Sequence, residues 1–237
     1  MKAVLFDLDG TLLPWNQDEF EHLYFKMLAK YVCPKDVNED YFIKTMKHGV
    51  YAMINNDGTS TNETAFFDAF GKYFTKDKIE EMNVSFNNFY LNEFNDIKAI
   101  CGFSEKANGV IQLMKENGIT VIVATNPVFP DVATRKRLNW AGINPDDLAL
   151  YTTYENSCYC KPSREYYMSI LDKFSLLAKD CIMVGNDTGD DMVAKEYGME
   201  VFLLTDRLVN RSGSDITQYP NGDFNDLENF LKNHLTM

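Results

Sequence analysis

The sequence has no long apolar run and no excess of positive charge. Its first apolar stretch, Ala3 to Phe6, is broken by Asp7 and is too short for a signal-peptide core, and no later run approaches the length of a membrane span. We therefore expect a cytoplasmic protein that does not enter a membrane. The formal net charge of -12 argues against nucleic acid as a partner, because a broad phosphate-backbone interface needs a basic patch.

The sequence also lacks the cysteine pattern of a disulfide-rich protein. The number of cysteines is odd, and they lack the dense spacing of a secreted disulfide scaffold, so we expect reduced thiols at Cys33, Cys101, Cys158, Cys160 and Cys181. The composition is that of a folded protein, with 45% hydrophobic and 24% charged residues. A length of 237 residues allows one large domain, or a core domain that carries a smaller inserted one.

Short apolar runs alternate with helical patterns over much of the chain. The runs predict buried strands at Ala3 to Phe6, Ile119 to Ala124, Cys181 to Val184 and Val201 to Leu204. The helical patterns cover Glu105 to Asn117, Asp131 to Trp140, Arg164 to Phe174, Met192 to Tyr197 and Leu227 to Leu235. Because this alternation is typical of parallel sheets with helices on both faces, we predict an α/β fold.

The stretch from Trp15 to Lys98 has a different pattern. It is rich in aromatic residues and methionine, and it contains no convincing buried strand. Apolar residues recur at helical spacing from Phe20 to Tyr31 and around 41–54, 64–74 and 79–94, which predicts four inserted helices. Such stripes are usually packing surfaces, so we assign most of these side chains to a core. Trp15 is interpreted as ordinary packing or as part of a hinge or pocket wall.

Two acidic residues follow the first predicted strand. Asp7 and Asp9, with Gly10 behind them, stand where parallel sheets tend to place ligand-binding groups. One carboxylate of such a pair can act as a nucleophile while the other moves a proton, and a glycine lets backbone amides approach an anion.

Two further clusters could bind phosphate oxygens. Thr125 and Asn126 directly follow the second predicted strand, and their hydroxyl and amide groups could donate hydrogen bonds to an anion. Lys161 precedes a predicted helix and could neutralise charge on both a carboxylate and a phosphate. Each signal is weak alone, since turns and solvated surfaces use the same residues.

The last cluster, Gly185 to Asp191, reads GNDTGDD and follows the third predicted strand. Its acids repel one another unless a cation or hydrogen bonds compensate, and hard oxygen ligands suit Mg²⁺. An equally good interpretation of the cluster alone is helix capping, in which Asp187 or Asp190 caps a helix that begins near Met192.

The order of these clusters, DLDGT, ATN, KP and GNDTGDD, resembles that of the haloacid dehalogenase superfamily. The resemblance covers residues 1 to about 14 and about 99 to 205. It implies a Rossmann-like catalytic core made of residues 1–14 and 99–237, with residues 15–98 as a helical cap in the C1 position. It also implies a phosphatase that works with Mg²⁺ through a phosphoaspartyl intermediate.

The resemblance also assigns roles to individual residues. Asp7 would be the nucleophile and a metal ligand, and Asp9 would be the acid and base, with its backbone carbonyl on the metal. Asp187 would complete the metal ligands. The phosphoryl group would be bound by Thr125, Asn126 and Lys161. Asn186 and Asp191 would support the metal site without being direct ligands. Asp190 is an alternative to Asp191 in this role.

Several alternatives remain open at this point. Asp9 disfavours a dehalogenase, because a halide needs no proton to leave. A phosphomutase would pass the phosphate from Asp7 to a sugar, and a phosphonate hydrolase would need a cap lysine, for which Lys26, Lys30, Lys44 and Lys47 are available. Outside the enzyme class, a binding or regulatory protein that keeps the fold without turnover is a further alternative. We expect a small phosphorylated substrate, no nucleic-acid partner, and a monomer or homodimer.

Overall fold

A single parallel sheet forms the centre of the molecule. The computed structural model describes residues 1–235 of the chain. The sheet has six parallel strands in the order β3-β2-β1-β4-β5-β6. The strands are β1 Ala3–Phe6, β2 Thr120–Val123, β3 Leu150–Tyr151, β4 Cys181–Gly185, β5 Glu200–Leu204 and β6 Asn221–Gly222.

Helices precede and follow these strands along the chain. Four lie between β1 and β2 in the predicted insertion: α1 Gln17–Tyr31, α2 Glu39–Ile54, α3 Asn62–Phe70 and α4 Lys76–Leu91. The others are α5 Glu105–Glu116, α6 Asp131–Trp140, α7 Arg164–Lys173 and α8 Phe224–Leu235. The predicted Rossmann-like core with inserted helices is therefore confirmed, whereas the domain boundaries at 14/15 and 98/99 remain predictions.

The central strand explains where chemistry can occur. All four residues of β1 are buried, and Phe6 is paired with Val123 of β2 and Val184 of β4. Since the three strands are parallel and in this register, their carboxyl ends meet at one edge of the sheet. The polar segments that begin at Asp7, Thr125 and Asn186 are thereby brought to the same edge.

The inserted helices begin at polar caps and pack through aromatic side chains. Asn16, Asn38, Thr61 and Thr75 each accept a hydrogen bond from a backbone amide in the first turn of α1 to α4, respectively. Phe42, Phe70 and Phe86 form an aromatic group with ring centroids 6.0 to 6.5 Å apart. As predicted, most of the aromatic stripe is core.

Several elements differ from the sequence-based prediction. The strands β3 and β6 were not predicted, because each has only two residues and no apolar run. The expected helix Met192 to Tyr197 is a 3₁₀ helix at Met192–Lys195. The last two inserted helices end earlier than predicted, and the chain continues as 3₁₀ helices at Gly71–Tyr73 and Glu93–Ile100.

Two expectations about the chain as a whole can be compared with the structure. All five cysteines are free thiols. None of the helices within residues 1–235 is long and apolar enough to cross a membrane.

Candidate active site

Asp7 lies at the end of β1 and is held by hydrogen bonds to both carboxylate oxygens. Lys161 Nζ donates to Asp7 Oδ1 at 2.8 Å. The Thr11 hydroxyl lies 3.0 Å from Asp7 Oδ2 and 3.0 Å from Asn186 Oδ1, so it can donate to either. The Asp7 side chain is only 11% exposed. Its orientation is therefore fixed before any ligand arrives.

Lys161 is a buried cation between two carboxylates. Its Nζ lies 2.6 Å from Asp191 Oδ1, in addition to its contact with Asp7. Burial lowers the pKa of Lys161, but the charges of Asp191 and Asp7 more than offset this and hold its pKa well above the ordinary value. Lys161 therefore carries a positive charge throughout the physiological range.

The loop after β4 supplies Asp191, which contacts Lys161. Asp191 is almost fully buried, and its Oδ2 accepts a hydrogen bond from the backbone amide of Asp187 at 3.0 Å. Burial raises the pKa of Asp191, and Lys161 opposes the rise. Asp190 lies at the cavity and makes no ion pair with Lys161. Of the two acids that the sequence could not separate, Asp191 is thus the partner of Lys161.

Asp9 faces a different set of partners. Its Oδ2 accepts hydrogen bonds from Arg137 and, at 3.3 Å, from the Thr125 hydroxyl. The other oxygen, Oδ1, is buried without a hydrogen-bond partner. Burial raises the pKa of Asp9 to about 6, and the Arg137 charge opposes part of this rise. A carboxyl group with a pKa near neutrality is suited to taking up and releasing a proton.

Arg137 is the site residue that the sequence analysis missed. It lies on α6, is 0% exposed, and also donates to the Thr134 hydroxyl at 3.0 Å. Its guanidinium lies over the Phe129 ring, 4.5 Å from the centroid. The sequence gives no signal for it, because Arg135, Lys136 and Arg137 together look like a solvated helix face.

Thr125 and Asn126 both border the same cavity as the acids. The backbone oxygen of Thr125 accepts hydrogen bonds from the Thr152 hydroxyl at 2.5 Å and the Tyr166 hydroxyl at 2.9 Å, which fixes the end of β2. Asn126 Oδ1 is buried without a partner. This segment therefore combines a fixed hydroxyl with an amide group that is not fully used inside the protein.

Asp187 lies beside an exposed cation. Its Oδ1 accepts hydrogen bonds from the amides of Gly189 and Asp190 at 2.7 and 3.1 Å, and Arg211 donates to its Oδ2 at 2.8 Å. The Arg211 side chain is 69% exposed. The helix-capping interpretation is not what the structure has, because no side chain caps the 3₁₀ helix that begins at Met192.

A cavity of about 490 Å³ joins these groups. All eight predicted site residues line it: Asp7, Asp9, Thr125, Asn126, Lys161, Asn186, Asp187 and Asp191. The lining also includes residues of α1 and α2, which are mostly apolar. Its volume is within the range of small-molecule sites.

The oxygen groups in this cavity are compatible with Mg²⁺. Within residues 1–235, no three His, Cys, Asp or Glu side chains are close enough together to hold a metal by themselves. Mg²⁺ does not need such a cluster, because it usually keeps several waters and takes one or two carboxylates. Arg211 pairs with Asp187 Oδ2 at 2.8 Å, and both side chains line the cavity.

The sequence matches the model of a known family over residues 1–198, which is described as haloacid dehalogenase-like hydrolase. The chain therefore belongs to this family of hydrolases. No curated protein sequence matches it.

Solved structures agree with this fold. A predicted phosphoglycolate phosphatase from Haemophilus somnus 129PT is 20% identical, with a TM-score of 0.61 and 98% of each chain covered. A protein described as a β-phosphoglucomutase from Thermotoga maritima is 17% identical, with a TM-score of 0.56 and 98% of this chain and 99% of the other covered. The protein described as the HAD-hydrolase YfnB of Bacillus subtilis, bound to magnesium, is 16% identical, with a TM-score of 0.55 and 97% and 98% covered.

Proposed function

We propose that this chain hydrolyses a small-molecule phosphate monoester with the aid of Mg²⁺, using Asp7 as the nucleophile. The observation that carries the proposal is the Asp7 carboxylate, which Lys161 and Thr11 hold at the end of β1. Asp9 and Thr125 border the same cavity. Phosphoryl transfer requires mainly in-line positioning and charge neutralisation, and these groups can provide both.

In the first step, a carboxylate oxygen of Asp7 forms a bond to phosphorus while the bond from phosphorus to the alcohol oxygen breaks. The leaving oxygen takes its proton from Asp9. The raised pKa of Asp9, about 6, supports this role, because a proton is available on the carboxyl group at slightly acidic to neutral pH. The unpartnered Oδ1 is the free oxygen that can carry it.

In the second step, Asp9 accepts a proton from water, and the resulting hydroxide attacks the phosphorus. The bond from phosphorus to Asp7 breaks, which releases inorganic phosphate and restores the carboxylate. Lys161 stabilises the Asp7 carboxylate in both steps through its contact with Oδ1. Thr125 and Asn126 would donate hydrogen bonds to the phosphoryl oxygens, with Lys161 as the third donor.

Mg²⁺ would be held by Asp7, the backbone carbonyl of Asp9, and Asp187. Asn186 and Asp191 would support these ligands without binding the ion directly. When bound, the ion neutralises negative charge on the phosphoryl oxygens and on the attacking carboxylate. The magnesium-bound state of the B. subtilis structural neighbour supports this choice of metal. Asn186 Nδ2 donates to the Arg207 backbone oxygen at 2.6 Å, which leaves its Oδ1 directed at Thr11.

Turnover of p-nitrophenyl phosphate tests the proposal. We expect release of inorganic phosphate that requires added Mg²⁺ and disappears in Asp7→Asn. Asp68→Asn, which changes an exposed acid on α3 outside the cavity, serves as the matched control and should keep full activity. Unchanged turnover in Asp7→Asn would exclude the proposed nucleophile. Transfer of phosphate to an added sugar, without release of phosphate, would instead indicate a phosphomutase.

A further inference from the structure

We infer that the preferred substrate carries a flat, largely apolar leaving group, such as an arylmethyl alcohol, rather than a sugar. The inference rests on the proposed phosphatase function and concerns the part of the cavity lining that comes from the inserted helices. That part is formed by side chains of α1 and α2, which line the same cavity as Asp7 and Lys161.

One face of α2 borders the cavity. Lys47, Val50, Tyr51 and Ile54 all line it, and their spacing of three, four and seven residues places them on the same side of the helix. Tyr51 is 66% exposed and Ile54 is 47% exposed. Large apolar side chains that are exposed inside a concave site, rather than on an open surface, indicate a ligand that covers them.

Aromatic rings from α1 and its preceding loop continue this surface. Phe25 lines the cavity beside α2, and Trp15 and Phe20 are stacked with their ring centroids 4.0 Å apart. Phe129, which also lines the cavity, packs edge-on to Phe20 with ring centroids 5.8 Å apart. Because these rings are held by one another, they form a rigid surface against which a planar group can pack.

Two of the polar side chains on this side of the cavity are paired with each other, because Gln17 Nε2 donates to Glu21 Oε1 at 2.8 Å. The Lys47 ammonium lies 5.2 Å from the centroid of the Phe25 ring. A sugar would bring several hydroxyl groups to a surface that is mostly apolar. Burying those hydroxyls unpaired would disfavour the sugar, whereas an apolar ring loses nothing by leaving water.

The test compares phosphate esters whose leaving groups have similar chemical reactivity. Benzyl phosphate and glucose 6-phosphate are both esters of primary alcohols, so a difference in kcat/KM reports recognition. We expect benzyl phosphate to have a kcat/KM about tenfold higher or more, from burial of the ring against the α2 face. An equal or higher value for glucose 6-phosphate would overturn the inference.

Two pairs of variants locate the effect. Ile54→Ser and Tyr51→Ser should each lower the ratio of the two kcat/KM values several-fold. Leu91→Ser and Tyr41→Ser remove exposed side chains of similar size that do not line the cavity, and they should leave the ratio unchanged. If the ratio of the two kcat/KM values were the same in the Ile54 and Tyr51 variants as in the two controls, the inference would be contradicted. Absence of turnover with every phosphate monoester would instead reject the proposed function, and the inference with it.

Discussion

Arg137 is a buried cation that forms an ion pair with the carboxylate of Asp9. It is fully buried on α6, and its contact with Asp9 links two residues that are 128 positions apart in the sequence. Because Arg137 also contacts Thr134 and the Phe129 ring, it is held in place independently of Asp9. We therefore interpret Arg137 as a positioning residue, which fixes the carboxyl group that moves the proton.

Arg137→Met tests this role, because methionine keeps much of the packing and removes the charge. We expect kcat to fall by about tenfold or more with little change in KM, since Asp9 loses the group that orients it. Arg137→Lys should recover part of the loss in kcat. Steady-state kinetics on samples with matched folded fractions, measured by circular dichroism, provide the readout. Equal kcat values in Arg137→Lys and Arg137→Met would argue against positioning by the charge.

Site residues that directly follow a strand could be predicted from the sequence, whereas a site residue within a helix could not. Asp7, Thr125 and Asn186 directly follow buried runs, and a parallel sheet brings such positions together. Arg137 could not be identified in the same way, because its helix carries three basic residues in a row and its guanidinium is covered by Phe129, just before the helix, and by Trp15 from a distant segment. Periodicity reports which face of a helix is apolar, but not which polar residue is covered by another element.

At the scale of elements, the loop after β1 and the loop after β4 depend on each other. Gly10 has a positive φ of +86°, and a Cβ atom there would lie 2.5 Å from Asn186 Nδ2. The Asn186 side chain is fixed at both ends, by the Arg207 backbone oxygen and by Thr11. There is therefore no room for a side chain at position 10 without disturbing the groups around Asp7.

Gly10→Ala should consequently lose activity beyond its effect on stability. Gly118→Ala is the matched control, because Gly118 also has a positive φ, +71°, but has open space around its Cβ position. Both variants should be destabilised by about 1 kcal/mol for the left-handed backbone. Only Gly10→Ala should also lower kcat, by about tenfold or more, because it displaces Asn186. Thermal unfolding and phosphatase assays on both proteins separate the two effects. Similar kcat values in the two variants would show that the contact with Asn186 is unimportant.

Element boundaries followed from the sequence where a polar cap or glycine marks them. The start of α7 is capped by Ser163, and α6 spans the predicted residues. The short strands β3 and β6 were missed because two residues carry no periodic pattern; they exist because neighbouring strands supply their hydrogen bonds. The 3₁₀ helix at Met192–Lys195 follows Asp191, whose side chain is held by Lys161 and by the Asp187 amide, and these contacts could not be predicted from the sequence.

At the scale of the whole molecule, the inserted helices share an apolar core with one face of the sheet, while a second cluster lies on the other face. A continuous cluster of buried side chains includes Val4 and Phe6 of β1 together with Phe42 and Phe86 of the inserted helices. Phe94, after α4, stacks on Trp140 of α6 with ring centroids 5.4 Å apart. The sequence predicted an insertion, but it could not predict this continuity, since the contacts join segments far apart in the chain.

A shared core should make unfolding cooperative. We expect one urea transition, with circular dichroism and tryptophan fluorescence giving the same midpoint, because Trp15 and Trp140 belong to the common cluster. Phe94→Ala should shift both signals together, with a cost of about 3 to 5 kcal/mol. A separate early transition of the helical signal alone would show that the insertion unfolds independently.

Catalysis as proposed requires a covalent bond between phosphate and the carboxylate of Asp7. The most direct measurement is rapid acid quenching of the protein during turnover of a ³²P-labelled monoester with Mg²⁺, followed by peptide mapping. We expect the label on the peptide that contains Asp7, and no label in Asp7→Asn. Label on a different peptide, or steady turnover with no labelled protein at any quench time, would contradict the account.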